Sequence, residues 1–147
     1  MGAFRQFALE HERTLTRQVQ DQGIPFSIHI CGDTTDILED MASTGARVLE
    51  LDWQVDMARA AEIVGGKATL MGNINPSDPL VSGSPSDIDM KAREVIRKTR
   101  GRNLILSSGC AMGSNTRPEN RTALVEAAKR YGTKAQILEM KADNGGK

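Results

Sequence analysis

Four short aliphatic runs alternate with helical patterns along this chain, and that alternation restricts the fold more than any other feature. Residues 26–30, 48–52, 68–74 and 104–108 are short, largely apolar runs that read as buried strands, with Gly, Pro or polar residues at most of their ends. Helical spacing fills the intervals. Residues 4–22 carry Phe4, Phe7, Ala8, Leu15 and Val19, closed by Gly23-Ile24-Pro25, and 34–44 carry Ile37, Leu38 and Met41 before Gly45. A third helix is predicted over 55–64, closed by Gly65-Gly66. A fourth is predicted over 88–100, entered through Ser86 as N-cap and stopped by Gly101. The last runs from Pro118 to about Tyr131. Residues 75–87 and 109–117 read as polar loops, and 133–147 as a short Ile137-Leu138 element followed by a fraying end.

Strands separated by helices at this spacing pair in parallel through right-handed crossovers, which is the α/β class. Either a small open sheet or part of an eight-stranded barrel satisfies the periodicity. The strand ends favour the barrel. His29 and Cys31, Glu50 and Asp52, Asn73 and Asn75, and Ser107, Ser108 and Cys110 all fall at C-terminal ends and converge on one rim. Four strands leave two edges and a concave face open, so a completing partner is expected, a second copy meeting the first through a two-fold interface.

Composition excludes several classes. The 147 residues include 19 Lys+Arg and 19 Asp+Glu, a formal charge of zero, so no strong field draws nucleic acid or an anionic membrane. With 39% hydrophobic and 26% charged residues the chain reads as one globular domain over 1–147. It has no apolar run long enough to span a bilayer. Glu10, His11, Glu12 and Asp21 occupy a beginning without an apolar signal region, so a cytoplasmic location is expected. In such a reducing compartment Cys31 and Cys110 are read as thiolates rather than a bridge.

On an extended strand His29 and Cys31 point the same way, about 6.5–7 Å apart along the chain. Cys110 follows 79 positions later, just past another strand, and returns to the same rim. One His and two Cys suit a zinc site with an open position; two inert thiols beside a satisfied histidine are the plainer alternative. Glu50 and Asp52 share a face and can hold a ligand histidine, fill an open metal position or accept a proton, with Asp52 nearer the strand end. Asn73 and Asn75 can orient a substrate or brace a loop, and Asp33 can cap the following helix. Ser107 and Ser108 lack a nearby histidine, so no hydrolytic triad is read, and no phosphate-binding glycine motif occurs. His11 reads as exposed, and Met41, Met57, Met71 and Met90 as core or boundary fillers.

The motifs His29-Ile-Cys-Gly-Asp33, Leu49-Glu-Leu-Asp52, Gly72-Asn-Ile-Asn-Pro76, Ser107-Ser-Gly-Cys110 and Pro118-Glu-Asn120 resemble the uroporphyrinogen decarboxylase superfamily. The likeness is to its zinc-dependent corrinoid branch, of methylcobamide:coenzyme M methyltransferase type. It covers nearly all of 20–132 and implies the last four βα units of a (β/α)8 TIM barrel with a leading helix, the first half being absent. It further implies zinc on His29, Cys31 and Cys110; beside that set, Asp52 and Glu50 are read from their strand positions as the catalytic carboxylates, and Asn73, Asn75, Asp33 and Ser108 as residues positioning substrate or loops. The implied reaction passes a methyl group from a methylated corrinoid, carried on a partner protein, to a small thiol such as coenzyme M, as in methanogenesis, and activity requires the other half of the barrel. The alternatives are a metal-free decarboxylase-like lyase and a non-catalytic half-domain that binds a corrinoid protein. Metal-free decarboxylases usually show a histidine-containing motif where this chain has Cys110.

Overall fold

The computed structural model describes residues 2–133 and 136–137. Two helices, α1 (Gly2–Phe7) and α2 (Leu9–Gln20), lead into β1 (Ser27–Ile30), and a single 3-10 turn (Thr35–Ile37) opens into α3 (Leu38–Ser43). Then follow β2 (Val48–Leu51), α4 (Met57–Val64), β3 (Thr69–Ile74), α5 (Pro85–Lys98), β4 (Leu104–Ser108) and α6 (Pro118–Tyr131). The strands form one parallel sheet in the order β1-β2-β3-β4. Consecutive strands are neighbours throughout, as in a barrel wall, with no reversal of the strand order of the kind that marks an open doubly wound sheet.

One face of the sheet is sealed by helices. Ile28, Leu49, Leu51, Leu70 and Ile74 alternate onto it and pack with Leu38, Met41, Met57, Val64, Ile88, Val95 and Leu124 from the helical layer. Burying each such side chain contributes about 1.5–3 kcal/mol, so this contact layer supplies most of the cohesion. The other face is open: along it lie His29, Glu50, Met71 and Ile105, one residue per strand in register, with Ile105 46% exposed. The row runs across the sheet from polar His29 and Glu50 on β1 and β2 to apolar Met71 and Ile105 on β3 and β4.

Local chemistry moved several boundaries. The leading helix breaks at Ala8, whose φ of −120° is not helical. Ser86 is not the N-cap of α5. Ser84 is, because its hydroxyl accepts from the Asp87 amide while the Asp87 carboxylate accepts from the Ser84 amide, a reciprocal box with Pro85 in the first helical position. Met90 is 60% exposed and fills no core, whereas Met41 and Met57 are buried. His11 is exposed, as its charged surroundings suggest. The Ile137-Leu138 element and the polar end reach beyond the described residues. No described helix is long and apolar enough to cross a membrane.

Asp56 shows how a single side chain sets a boundary. Its Oδ1 accepts from the amides of Ala58 and Arg59 and so caps α4, while Oδ2 pairs with Lys98 Nζ at 2.9 Å. The Arg59 amide and then the Lys98 ammonium hold the carboxyl below the usual range. A carboxyl depressed in the folded state stabilises above its unfolded pKa of about 3.9 and loses that contribution as pH falls through the lower folded value. Asp56→Ala is therefore expected to cost about 1 kcal/mol at pH 7. Urea denaturation should show the difference from the parent shrinking steadily below about pH 4, and a pH-independent difference would rule out the carboxylate as its source.

Candidate metal centre

Parallel register brings the chemistry-bearing residues of four strands to one rim. His29 stands opposite Glu50 in the β1–β2 ladder, and its Nδ1 lies 3.1 Å from the Glu50 carbonyl and 3.9 Å from Glu50 Oε2. A carbonyl can only accept, so Nδ1 carries the proton and donates. In the neutral ring this leaves the Nε2 lone pair free. Nε2 faces the sulfurs, with Cys31 Sγ at 3.2 Å and Cys110 Sγ at 3.8 Å, and the two sulfurs lie 3.5 Å apart. Among the described residues these are the His, Cys, Asp or Glu groups that cluster closely enough to share an ion. Tetrahedral zinc, with Zn–S about 2.3 Å and Zn–N about 2.0–2.1 Å, holds its donors roughly 3.5–3.8 Å apart. Two sides of the triangle, 3.5 and 3.8 Å, fall in that range and the third, 3.2 Å between His29 Nε2 and Cys31 Sγ, is a few tenths of an ångström short of it, so the donor set fits such an ion with a small adjustment of one side chain.

The three groups perturb one another even as bare side chains. Burial opposes protonation of His29, but contacts with Cys110, the Glu50 carbonyl and the Glu50 carboxylate outweigh it and raise its pKa. Cys110 is pushed the other way: hydrogen bonding to His29, then to Cys31, then to the Ala111 amide lowers its pKa. Cys31 is raised by its hydrogen bond to Cys110, by desolvation and by the nearby charges of Cys110, Asp52 and Glu50. Cys110 is thus the preferred thiolate of the pair, stabilised by the imidazole.

The surrounding polar residues are held by loops rather than by one another. Asp52 lies just beyond β2, buried, and Oδ1 accepts from the Gln54 amide at 3.1 Å. Asn73, buried at the end of β3, donates from Nδ2 to the carbonyls of Asp52 at 3.0 Å and Val55 at 2.7 Å, pinning the β2–α4 loop. Asn75 Oδ1 accepts from the Ser77 and Asp78 amides, and Asp33 Oδ1 from the Thr35 amide and hydroxyl, both closing tight turns. Asp33 thereby shapes the entry to the 3-10 turn one residue before its N-cap, Thr34. Ser108 is buried on the helix side of β4. Sequence reasoning passed over Gln54 and Trp53: the Asp-Trp-Gln turn was visible as an Asx-turn pattern, but the packing of the Trp53 backbone against Gly109 was not.

A four-stranded run of parallel barrel wall carrying a His/Cys/Cys cluster at its C-terminal rim defines the class: part of a (β/α) barrel with a soft-donor site. Residues 2–131 match the uroporphyrinogen decarboxylase (URO-D) family, and the chain belongs to it. It is 30% identical over 128 residues to the methylcobamide:CoM methyltransferase MtbA of Methanosarcina mazei, a match covering 87% of this chain and 37% of that protein. It is also 36% identical over 105 residues to a uroporphyrinogen decarboxylase of Synechococcus sp. (strain CC9605), covering 71% of this chain and 29% of the relative. A solved methyltransferase from Methanosarcina mazei superposes with a TM-score of 0.80 at 29% identity, over 88% of this chain and 37% of the other. The chain therefore spans about a third of the length of these relatives.

Proposed function

We propose that this chain supplies the zinc-binding rim of a methyltransferase that alkylates a small thiol with a methyl group carried on a corrinoid protein. The observation that carries this reading is the triangle of His29 Nε2, Cys31 Sγ and Cys110 Sγ, three soft donors close to zinc spacing with the histidine tautomer already set by the Glu50 carbonyl. The relationship to a methylcobamide:CoM methyltransferase supports the donor and acceptor chemistry.

Zinc bound there would lower the pKa of an incoming thiol and present it as a thiolate nucleophile. The protein's part is positional. His29, Cys31 and Cys110 would hold the ion through three protein donors, which in a four-coordinate site would leave one position for substrate. Glu50 Oε2, on the open face of the sheet 3.9 Å from His29 Nδ1, would take up the proton of the incoming thiol. Asp52 and Asn73 keep the β2–α4 loop in place behind the donors.

Cobalt(II) replacing zinc gives the direct test. One ion per chain is expected, with a thiolate-to-cobalt absorption band that changes when 2-mercaptoethanesulfonate (coenzyme M) is added. Folded protein that binds less than about a tenth of an equivalent would remove the reading. It would favour a second one, resting on the decarboxylase relatives, in which the rim handles a carboxylated tetrapyrrole without metal.

A further inference from the structure

We infer that Cys31 and Cys110 form a reversible oxidation site, in which a hydroperoxide converts the pair to an intrachain disulfide and dismantles the metal-binding triangle. They are the two cysteines of the chain, both are free thiols, and their sulfurs lie 3.5 Å apart. A disulfide needs about 2.05 Å, so closure requires the sulfurs to approach by roughly 1.5 Å.

The two sides differ in their freedom to make that movement. Cys110 follows Gly109, whose amide donates to the Ile74 carbonyl at 2.7 Å and whose α-carbon abuts the Trp53 backbone. Cys31 is exposed and precedes Gly32, which has φ +90° and nothing within 4 Å of where a Cβ would stand. Side-chain rotation of Cys31, with adjustment at Gly32, carries the closure against a fixed Cys110.

The chemistry balances with the peroxide as the sole oxidant. One thiolate attacks the O–O bond, giving a sulfenic acid and releasing an alcohol, or water from hydrogen peroxide. The second thiolate then displaces hydroxide from the sulfenic sulfur, forming the S–S bond; the hydroxide leaves as water. Two thiols lose two electrons and two protons in all, and a dithiol reductant restores them. With the second sulfur already adjacent, this step is intramolecular and outruns oxidation to sulfinic acid. Both sulfurs are consumed, so His29 is left without its companion donors. That last consequence rests on the zinc reading, whereas disulfide formation does not.

The test treats the metal-free reduced chain with one equivalent of hydrogen peroxide, alkylates residual thiols and maps peptides without reduction. Expected are a monomer lighter by two hydrogen masses, a Cys31–Cys110 cross-linked peptide, a raised Tm and reversal by dithiothreitol, with none of these in Cys31→Ser or Cys110→Ser. In a parallel zinc-loaded sample with a chromophoric chelator, zinc should be released in step with disulfide, at a rate at least tenfold below that of the metal-free chain. Sulfinic acid or intermolecular disulfide as the main product would overturn the inference, even if zinc binds stoichiometrically. Disulfide formation in a chain that takes up no zinc would support it and defeat the zinc reading alone.

Discussion

His29→Ala, Cys31→Ser and Cys110→Ser are each expected to weaken zinc binding by at least about 100-fold, because partners one step removed from a metal already contribute 10–100-fold and in the proposed site these residues would supply the donor atoms themselves. None belongs to the hydrophobic core, which lies on the opposite face of the sheet. His29 forfeits its hydrogen bond to the Glu50 carbonyl, about 0.5–1.5 kcal/mol, and its contacts with the two sulfurs, while the cysteines forfeit contacts within the triangle and, for Cys110, with the Ala111 amide. Folding should therefore survive, and circular dichroism with urea denaturation would establish it. Competition against a chromophoric zinc chelator then measures affinity. Wild-type affinity in any of the three folded variants would mean that the residue is not a ligand.

The second large effect falls on a residue with no chemistry of its own. Gly109→Ala is expected to destabilise the fold by about 1–3 kcal/mol, the usual range for overpacking, and to weaken zinc binding about tenfold by displacing Cys110. A Cβ at this position would run into the Trp53 backbone nitrogen and stand 2.9 Å from Trp53 Cα. Those atoms cannot yield readily, since Asn73 clamps the loop on either side of them through the Asp52 and Val55 carbonyls. On the other flank the Gly109 amide is tied to Ile74. The easier relief is for the Gly109-Cys110 segment to move, and it carries a proposed zinc ligand. Stability and zinc affinity falling together is the expected pattern; a destabilised variant with unchanged affinity would show that the contact does not position Cys110.

Much of the fold was legible because its rules are local. Apolar runs of 4–6 residues between glycine-closed helical stripes leave few options besides parallel strands with crossovers, and all four strands lie where the pattern places them to within a residue or so. The errors were also local and arose where two signals competed. Ser84 and Ser86 are both plausible caps, and the choice turned on Asp87 standing three residues after Ser84 and Pro85 one after it. Met90 satisfies an apolar pattern by residue type, yet α5 turns it to solvent, because Ile88, Ala92, Val95 and Ile96 define the buried stripe.

The candidate site divides along the same line. Spacing alone placed His29 and Cys31 on one face if the strand continued, since side chains two apart on a strand share one; β1 ends at Ile30, and Cys31, just past it, still turns its sulfur to 3.2 Å from His29 Nε2. The rank order within the triangle lay beyond spacing. That Nδ1 is the protonated nitrogen follows from the β1–β2 register, which sets the Glu50 carbonyl beside the ring. That Cys110 rather than Cys31 is the favoured thiolate follows from which sulfur the imidazole and the Ala111 amide stabilise. By itself, then, the order of residues determined the class of fold, the strands and the rim on which the polar groups collect, because periodicity and chain reach are properties of neighbours. Only the tertiary structure decided that Cys110, 79 residues after Cys31, brings its sulfur to 3.5 Å from that of Cys31, because that distance depends on how four strands align and on a glycine small enough to pass Trp53.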